Sequence, residues 1–367
     1  MYLKSLTLIN FKNYEQVELS FSEKINCFLG NNGVGKTNLL DAMYYLSLCK
    51  SYFNNIDSQN IRHEQDFFVI QGLYYRDNVE ENIYCGLKRN TRKQFKRNKK
   101  EYSRLSDHIG FIPAVMISPA DSRLIIEGSE ERRKFLDSVI SQYDKIYLDD
   151  LIKYQRLLTQ RNKLLKDVSG SSDPERDLFE VIDDQMIKLG NHIYSKRKEF
   201  IEKMIPVFQR YYSFISSKNE EVDLIYQSGL NHNKYKTLLE SSFKKDRIFE
   251  YTTEGIHKDD ITLILNGYPI KRIGSQGQQK TYLVALKFAE FDFIRQINDF
   301  KPILLMDDVF DKFDDQRVSN IIKLVADDNF GQIFITDTDK HRLDSILGGI
   351  SQSYKLFYAD KNGIKES

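Results

Sequence analysis

Residues 30–37 read Gly30-Asn31-Asn32-Gly33-Val34-Gly35-Lys36-Thr37, which satisfies the Gly-x4-Gly-Lys-Ser/Thr pattern of a phosphate-binding P-loop. In such a loop the glycines let backbone N–H groups turn inward around phosphate oxygens. Lys36 is then placed to reach the β- and γ-phosphates of a nucleotide, and the Thr37 hydroxyl to ligate Mg²⁺. The alternative is an ordinary glycine-rich turn.

The sequence on either side has the periodicities that a P-loop needs. Apolar residues alternate over 25–29, as in a strand, and recur at helical spacing over 39–46. We predict a strand ending at the loop and an amphipathic helix from Lys36 to about Leu48. The alternation over 1–30 and 67–117 predicts further strands, those of 67–117 antiparallel.

A second motif lies near the other end of the chain. Residues 303–308 read Ile-Leu-Leu-Met-Asp-Asp, and this apolar run predicts a buried parallel strand that ends in two carboxylates. Residues 332–336 predict another such strand. Beside a P-loop, Asp307 would hold the Mg²⁺ shell and Asp308 would polarise the attacking water. About 270 positions separate Lys36 from Asp307, so a large insertion must lie between them.

Ser275-Gln276-Gly277-Gln278 opens the helix predicted from Lys280 to about Asn298. A helix N-terminus carries free N–H groups and a dipole that favour a phosphate. Since the P-loop already holds the phosphates of one nucleotide, this segment makes most sense as a contact to the γ-phosphate of a nucleotide on another subunit. A simple helix cap is the alternative.

The middle of the chain has helical periodicity over 132–166 and again over 175–214, with a break at 168–174 and a bend expected at Pro206. These helices either pack alone or form an arm that contacts a partner or DNA, and both interpretations remain open. We predict an α/β P-loop ATPase lobe built from residues 1–125 and 246–367, with a mostly helical lobe of residues 126–245 inserted.

Composition excludes several classes of protein. The 367 residues carry a net charge of +1, which excludes a globally basic, histone-like binder. No apolar run approaches the ~18 residues of a membrane span. Three scattered cysteines fit free thiols in a reducing cytosol, and six scattered histidines form no metal-ligand spacing. We expect a cytoplasmic protein with no membrane partner.

One short segment concentrates positive charge. It has eight basic residues and no acidic residue: Lys88, Arg89, Arg92, Lys93, Lys96, Arg97, Lys99 and Lys100. Such a segment can neutralise DNA phosphates and release counterions. A solvated hairpin rim is the alternative.

Taken together, these stretches resemble the RecF family of bacterial recombination-mediator ATPases, relatives of SMC and ABC-type ATPase heads. The resemblance covers nearly the whole chain and includes residues 10–14, 30–42, 61–65, 114–121, 131–137, 160–166, 255–260, 275–280, 307–308 and 336–338. The fold it implies is an ABC/SMC-type head, a mixed β-sheet with helices, carrying the inserted lobe and no long coiled coil.

The resemblance also implies a function. It implies an ATP-gated homodimer that sandwiches two ATP molecules with Mg²⁺ and that binds gapped duplex DNA, single-strand–duplex junctions and single-stranded DNA. With RecO and RecR, RecF-like proteins help to place RecA on gapped DNA. The nucleotide would contact residues 30–37, Asn38 and Lys12 of one subunit and Ser275, Gly277 and Gln278 of the other. Lys36 and Asp308 would be catalytic.

The chain departs from the family pattern at several positions. Residues 255–260 read Gly-Ile-His-Lys-Asp-Asp, where the family has Gly-Pro-His-Arg-Asp-Asp, and Lys258 lacks the planar fork of arginine. Residues 311–314 keep only the last Asp of Ser-Glu-Leu-Asp. Asp308 stands where ABC transporters have Glu, which predicts slow hydrolysis. Gln65 is a candidate for the Q-loop residue by position only.

Two other functions are compatible with a P-loop. A subunit coupled to a membrane transporter would have a shorter insertion and a Leu-Ser-Gly-Gly-Gln signature, which this chain lacks. An interaction module that binds ATP as a structural clamp, with little turnover, stays open because Asp307 and Asp308 permit hydrolysis without setting its rate.

Overall fold

The computed structural model describes residues 1–168, 177–217, 220–298, 300–311, 313–326, 329–342, 348, 353–361 and 363–366. The described strands are β1 Tyr2–Phe11, β2 Tyr14–Ser20, β3 Ile25–Leu29, β4 Phe67–Arg76, β5 Val79–Lys88, β6 Gln94–Arg97, β7 Lys100–Glu101, β8 Ala114–Ile117, β9 Val222–Gln227, β10 Asp260–Leu265, β11 Tyr268–Pro269, β12 Ile303–Asp307, β13 Ile333–Asp337, β14 Tyr354–Asp360 and β15 Gly363–Glu366. The described helices are α1 Lys36–Leu48, α2 Arg123–Ile126, α3 Ser129–Ser141, α4 Lys145–Asp167, α5 Asp177–Ser216, α6 Tyr235–Phe249, α7 Ile270–Ile273, α8 Gln276–Ile297 and α9 Asp315–Ala326.

The chain forms two compact units. The first comprises Met1–Ser122, Arg210–Lys218 and Gln276–Ser367, and the second comprises Arg123–Gln209 and Asn219–Ser275. Compared with the predicted lobe 126–245, the second unit extends to residue 275, because β10 pairs with β9 and α3 packs on β10. The three-part division by residue numbers stays a prediction.

Two six-stranded sheets build the first unit. One has the order β2-β1-β4-β5-β6-β7 and is antiparallel throughout. The other has the order β15-β14-β3-β13-β12-β8 and is parallel except for the β14–β15 pair. The predicted parallel strands at 303–307 and 332–336 are confirmed as β12 and β13. The expectation of antiparallel pairing over all of 67–117 is wrong for β8, which pairs in parallel with β12.

Helix α1 contacts strands of both sheets, and its side chains enter the core that the two sheets share. The predicted limits, Lys36 to Leu48, are confirmed. The predicted amphipathic character is wrong, because only Thr37 and Asn38 escape burial along the helix. An apolar stripe with Tyr44 and Tyr45 beside it is compatible with a helix buried on one face and with a helix buried on all sides. Periodicity alone therefore could not distinguish these two environments.

The second unit contains helices α2–α4, α6 and α7, most of α5, and the small sheet β11-β10-β9. The helical periodicity predicted over 132–166 is divided between α3 and α4. Asp144 separates them, since its carboxylate caps α4 by accepting a hydrogen bond from the Tyr147 N–H at 2.9 Å. Residues 169–174 of the predicted break lie outside the described residues. All three cysteines of the chain are described, buried and without a disulfide.

Candidate nucleotide site

The P-loop starts at the carboxyl end of β3, which lies between β13 and β14 in the parallel sheet. The Gly30 N–H donates to the Asp337 carbonyl at 3.3 Å. A Cβ on Gly30 would lie 2.3 Å from the Ala359 carbonyl oxygen in β14. Gly33 and Gly35 have φ of +83° and +109°, values at which side chains are strained. These positions therefore require glycine for reasons of backbone geometry.

The Lys36 side chain is folded back across the loop. Its Nζ donates to the Gly30 carbonyl at 2.7 Å and to the Asn31 carbonyl at 3.0 Å. Lys36 is almost fully buried, so its charge is held at the position where phosphate oxygens would enter. The lysine and the glycine-rich backbone of residues 30–37 therefore lie together at one site, as the P-loop pattern predicts.

The turn between β1 and β2 supports the loop. Asn13 Nδ2 donates to the Val34 carbonyl at 3.3 Å, and Tyr14 Oη donates to the Gly35 carbonyl at 3.0 Å. The Asn38 amide donates to Asn13 Oδ1 at 2.7 Å. Sequence reasoning missed Asn13 and Tyr14 as site residues, although they belong to the stretch 10–14 that resembles the family.

Thr37 and Asp307, the two predicted Mg²⁺ ligands, are in contact. Thr37 Oγ1 donates to Asp307 Oδ1 at 2.9 Å, and Thr336 Oγ1 donates to the same oxygen at 2.9 Å. Burial raises the pKa of Asp307 to about 6. A desolvated carboxylate beside a hydroxyl is the oxygen donor set that Mg²⁺ prefers, so the residues fit the ion. Sequence reasoning did not assign Thr336, which ends up here because β13 adjoins β12.

Asp308 follows directly, at φ +44°. Its N–H donates to Thr336 Oγ1 at 3.0 Å, so the threonine hydroxyl joins both aspartates. Burial raises the pKa of the half-buried Asp308 carboxyl, and the Lys36 charge opposes that shift. The positive φ marks the point where the chain leaves the β12 strand conformation, and a catalytic role for Asp308 stays a prediction.

Lys12 lies beside α1, the helix that follows the P-loop. Its Nζ is 2.6 Å from Asp41 Oδ2 and 5.3 Å from the centre of the Phe53 ring. Both members of this ion pair are largely buried. A contact from Lys12 to the nucleotide stays a prediction, and the Lys12 ammonium group would have to bind the nucleotide and Asp41 together.

The segment predicted to act on a second subunit lies at the start of α8. Gly277 and Gln278 are in its first turn, and the Gly277 carbonyl accepts from Thr281 Oγ1 at 2.8 Å. Ser275 directly precedes the helix and is exposed. Their role in trans stays a prediction. Of residues 311–314, Lys312 lies outside the described residues, and Asp314 pairs with Arg317 at 2.6 Å.

The eight basic residues of 88–100 divide into three groups by their contacts. Lys93 Nζ lies 2.7 Å from Asp57 and 2.6 Å from the Cys49 carbonyl, and Arg97 makes two bonds to Glu81, at 2.5 and 2.9 Å. Arg89 and Arg92 are exposed but bond to the carbonyls of Gln65 and Ser103. The lysines without an ion pair to a described acid are Lys88, Lys96, Lys99 and Lys100. DNA contact by the segment stays a prediction. The charges of Lys93 and Arg97 are already explained by their ion pairs with Asp57 and Glu81 inside the unit.

The stretches 131–137 and 255–260 meet in the second unit. Arg132 binds Asp260 through two bonds of 2.6 and 3.0 Å, and Arg133 donates to the Asp259 carbonyl at 2.7 Å. Asp259 also pairs with the buried Arg197 at 3.1 Å. Lys258 lies over the Tyr251 ring at 4.9 Å. These family-like stretches therefore form a polar core inside one unit.

Known proteins that are similar to this chain share one family description. The sequence profile described as "RecF/RecN/SMC N terminal domain" matches residues 2–363. "DNA replication and repair protein RecF" of Bacteroides fragilis strain YCH46 is 57% identical over 368 residues, covering 100% of this chain and 98% of the relative. The protein of the same name from Flavobacterium johnsoniae is 48% identical, covering 97% of this chain and 99% of the relative.

Two solved structures resemble this chain over its whole length. The structure described as recombination mediator protein RecF-ATP in the RecFOR pathway is 31% identical, with a TM-score of 0.89 and coverage of 100% of this chain and 97% of the other. The Smc head of Pyrococcus furiosus, bound to the C-terminal domain of ScpA, is 17% identical with a TM-score of 0.58, over 100% and 96% of the two chains. This second likeness shows the fold alone: an ABC/SMC-type ATPase head. Within the part of the chain that the structure describes, no helix combines the length and apolarity needed to cross a membrane.

Proposed function

Because the chain belongs to the RecF family, we propose that it is an ATP-dependent DNA-binding protein of recombinational repair and replication restart, acting in the cytoplasm. The names of its relatives support a part in DNA replication and repair. One observation carries the proposal: residues at opposite ends of the chain, Thr37 and Asp307, meet at 2.9 Å beside a buried lysine in a P-loop.

ATP is the nucleotide we propose, since a relative of this fold is described as RecF-ATP. Lys36 would exchange its two carbonyl contacts for the β- and γ-phosphate oxygens. Thr37 and Asp307 would hold Mg²⁺, which supplies, when bound, positive charge for the transferred phosphoryl group. Asp308 would polarise the attacking water from its half-buried position.

We further propose an ATP-gated homodimer. Each ATP would lie between the P-loop of one subunit and the start of α8 on the other, so that Ser275, Gly277 and Gln278 complete the site in trans. Support comes from the position of Gly277 and Gln278 in the first turn of a 22-residue helix, because the N–H groups and dipole of a helix N-terminus favour an anion.

The DNA would be gapped duplex, single-strand–duplex junctions or single-stranded DNA. RecR and RecO would be partners, and RecA the protein whose loading benefits. Support comes from the family and from the lysines of 88–100 that have no ion pair to a described acid. The order of events we propose is ATP binding, dimer closure on DNA and release after slow hydrolysis.

The test is fluorescence anisotropy of a labelled gapped duplex titrated with the protein, with and without ATP and Mg²⁺. We expect binding that tightens with ATP in the wild type and not in Lys36→Ala. A DNA affinity that is the same with and without ATP in both proteins would contradict the ATP-gated dimer. It would favour an interaction module in which ATP is only a structural element.

Hydrolysis is tested separately by phosphate release with and without DNA. We expect turnover below about 10 s⁻¹, the median for enzymes, that is stimulated by DNA and abolished in Asp308→Asn. Fluorescent-ATP binding should survive in Asp308→Asn, because Lys36, Thr37 and Asp307 remain. Equal phosphate release from the wild type and the variant would remove Asp308 from the catalytic role.

A further inference from the structure

A shallow cavity of about 510 Å³ lies on the outer face of the antiparallel sheet of the first unit. It is lined by Gln71, Asn82, Tyr84, Lys96, Asn98 and Lys99. A cavity of this size falls in the range of small-ligand sites. None of the lining residues belongs to the nucleotide site, and none of them is acidic.

Tyr84 forms the floor of this cavity. Its strand neighbours Ile83 and Cys85 point into the core, so Tyr84 points outward. A Cβ on Gly86 would lie 2.5 Å from the Tyr84 hydroxyl oxygen and 3.0 Å from Cζ. The ring therefore lies over Gly86, in space that any larger residue would fill. No described residue hydrogen-bonds to the Tyr84 hydroxyl.

Polar and cationic groups flank the ring. In the strand register Gln71 is opposite Tyr84, and Tyr84 is opposite Lys96, which places the three on one row of the sheet face. The Lys96 Nζ lies 5.3 Å from the centre of the Tyr84 ring. Lys96 and Lys99 make no ion pair with a described acid. The face thus presents an aromatic surface, amide groups and the positive charges of Lys96 and Lys99, with the exposed Glu101 opposite Lys96 in the strand register.

We propose that this face, which we term the Tyr84 platform, binds an unpaired nucleotide of DNA. The base would stack on the Tyr84 ring, and its phosphates would contact Lys96 and Lys99. A paired base inside a duplex offers no free ring face, so the platform favours single-stranded over duplex DNA. This inference rests on the proposed function, and it assigns the preference for gaps and junctions to one side chain.

The test compares three labelled DNAs at one salt concentration: a gapped duplex, the same duplex without the gap, and a single-stranded oligonucleotide. Tyr84→Ala should weaken binding of the gapped and single-stranded DNAs about fivefold or more, and leave the continuous duplex unchanged. Tyr84→Phe keeps the ring and should behave as the wild type.

Tyr75→Ala is the matched control. Tyr75 is the same residue type on the same face of β4, four residues along the strand from Gln71. The centre of its ring lies 5.6 Å from that of Tyr2, outside the cavity. It should leave the preference unchanged. A second readout uses 2-aminopurine within the gap, whose fluorescence should be quenched on binding by the wild type and by Tyr84→Phe, and not by Tyr84→Ala.

Each outcome decides the question. An unchanged ratio of gapped to continuous binding in Tyr84→Ala overturns the platform and leaves the proposed DNA function in place. Equal losses on all three DNAs also overturn it, because a stacking contact would spare the continuous duplex. Wild-type protein that binds none of the DNAs overturns the proposed function and the platform with it.

Discussion

Gly30 lies where the P-loop passes closest to a neighbouring strand. Gly30→Ala should lower the free energy of unfolding by about 1–3 kcal/mol and weaken ATP binding, because the new methyl would meet a backbone oxygen that cannot rotate away. Urea unfolding and fluorescent-ATP titration measure both effects. Gly128→Ala is the control, since φ there is −73° and no atom lies within 4 Å of its Cβ position.

His257 should make the protein sensitive to acid. Its Nδ1 lies 3.0 Å from Tyr154 Oη and its Nε2 lies 2.9 Å from the Thr252 carbonyl. Burial lowers the pKa of His257 to about 4, and the nearby charges of Lys258 and Arg133 act in the same direction, with Asp246 opposing them. Below the unfolded pKa of about 6.5, the unfolded chain therefore binds a proton that the folded protein does not.

Stability should therefore fall as the pH drops from about 6.5 to about 4, by up to about 3 kcal/mol from this group. Urea midpoints at several pH values test this. His257→Gln should flatten the curve in that window, while His63→Gln, at an exposed site, should not. A curve for His257→Gln that is parallel to the wild type would contradict the assignment.

At the scale of elements, Arg161 ties three parts of the second unit together. From α4 it reaches Asp183 of α5 at 2.7 Å, Asp246 of α6 at 2.7 Å and Thr252 at 2.9 Å. Both Arg161 and Asp246 are fully buried. Arg161→Leu should cost about 3–5 kcal/mol of stability, because Asp246 then loses its cation in a dry environment. Arg156→Leu, exposed on the same helix, should change the urea midpoint little.

The edge formed by β6 and β7 carries Lys96 and Lys99 of the basic segment. The double variant Lys96→Glu with Lys99→Glu should weaken DNA binding and reduce the slope of log K against log salt by roughly 0.9 for each phosphate that is no longer neutralised. Lys361→Glu with Lys365→Glu, at exposed positions after β14 and on β15 of the same unit, is the charge-matched control. A slope unchanged in the first variant would remove these lysines from the DNA-contacting surface.

Most elements were predictable where periodicity is long or a motif marks an end, as for α1, β12 and β13. The division of α3 from α4 was not predicted, because Tyr143 and Tyr147 continue the apolar pattern across the Asp144 cap. The partner of β8 was not predicted either, because β8 pairs with β12, which lies near the other end of the chain. The burial of nearly all of α1 was not predicted, because the helix packs between two sheets whose strands are far from it in sequence.

At the scale of the whole molecule, the proposed dimer gives a direct prediction. Light scattering during size-exclusion chromatography should report twice the 43.2 kDa chain mass with ATP and Mg²⁺, and a single mass without them. Ser275→Arg should remain monomeric while binding ATP, because it alters the segment proposed to act in trans. Lys36→Ala should fail at both steps. A dimer of Ser275→Arg equal to that of the wild type would contradict the shared site.

Some residues of the candidate site could be predicted from the sequence, and others could not. Lys36, Thr37, Asp307 and Asp308 were identified because each belongs to a motif with a chemical reason. Thr336 has no motif that reveals a role, since only the adjacency of β12 and β13 brings its hydroxyl to the aspartates. The pairing of Lys93 and Arg97 with internal acids likewise follows from tertiary structure, which charge counting does not contain.

The position of β3 has a consequence for how the protein is made. The antiparallel strands β1, β2 and β4–β7 are all available once residue 101 has left the ribosome, yet β3 pairs on both sides with strands from 333–360. At 5–20 residues per second, roughly 15 to 60 seconds of translation pass between the end of β3 and the start of β13. During that interval β3 has no partner strand on the nascent chain, so the parallel sheet that carries the P-loop can close only after every strand of the antiparallel sheet has been made.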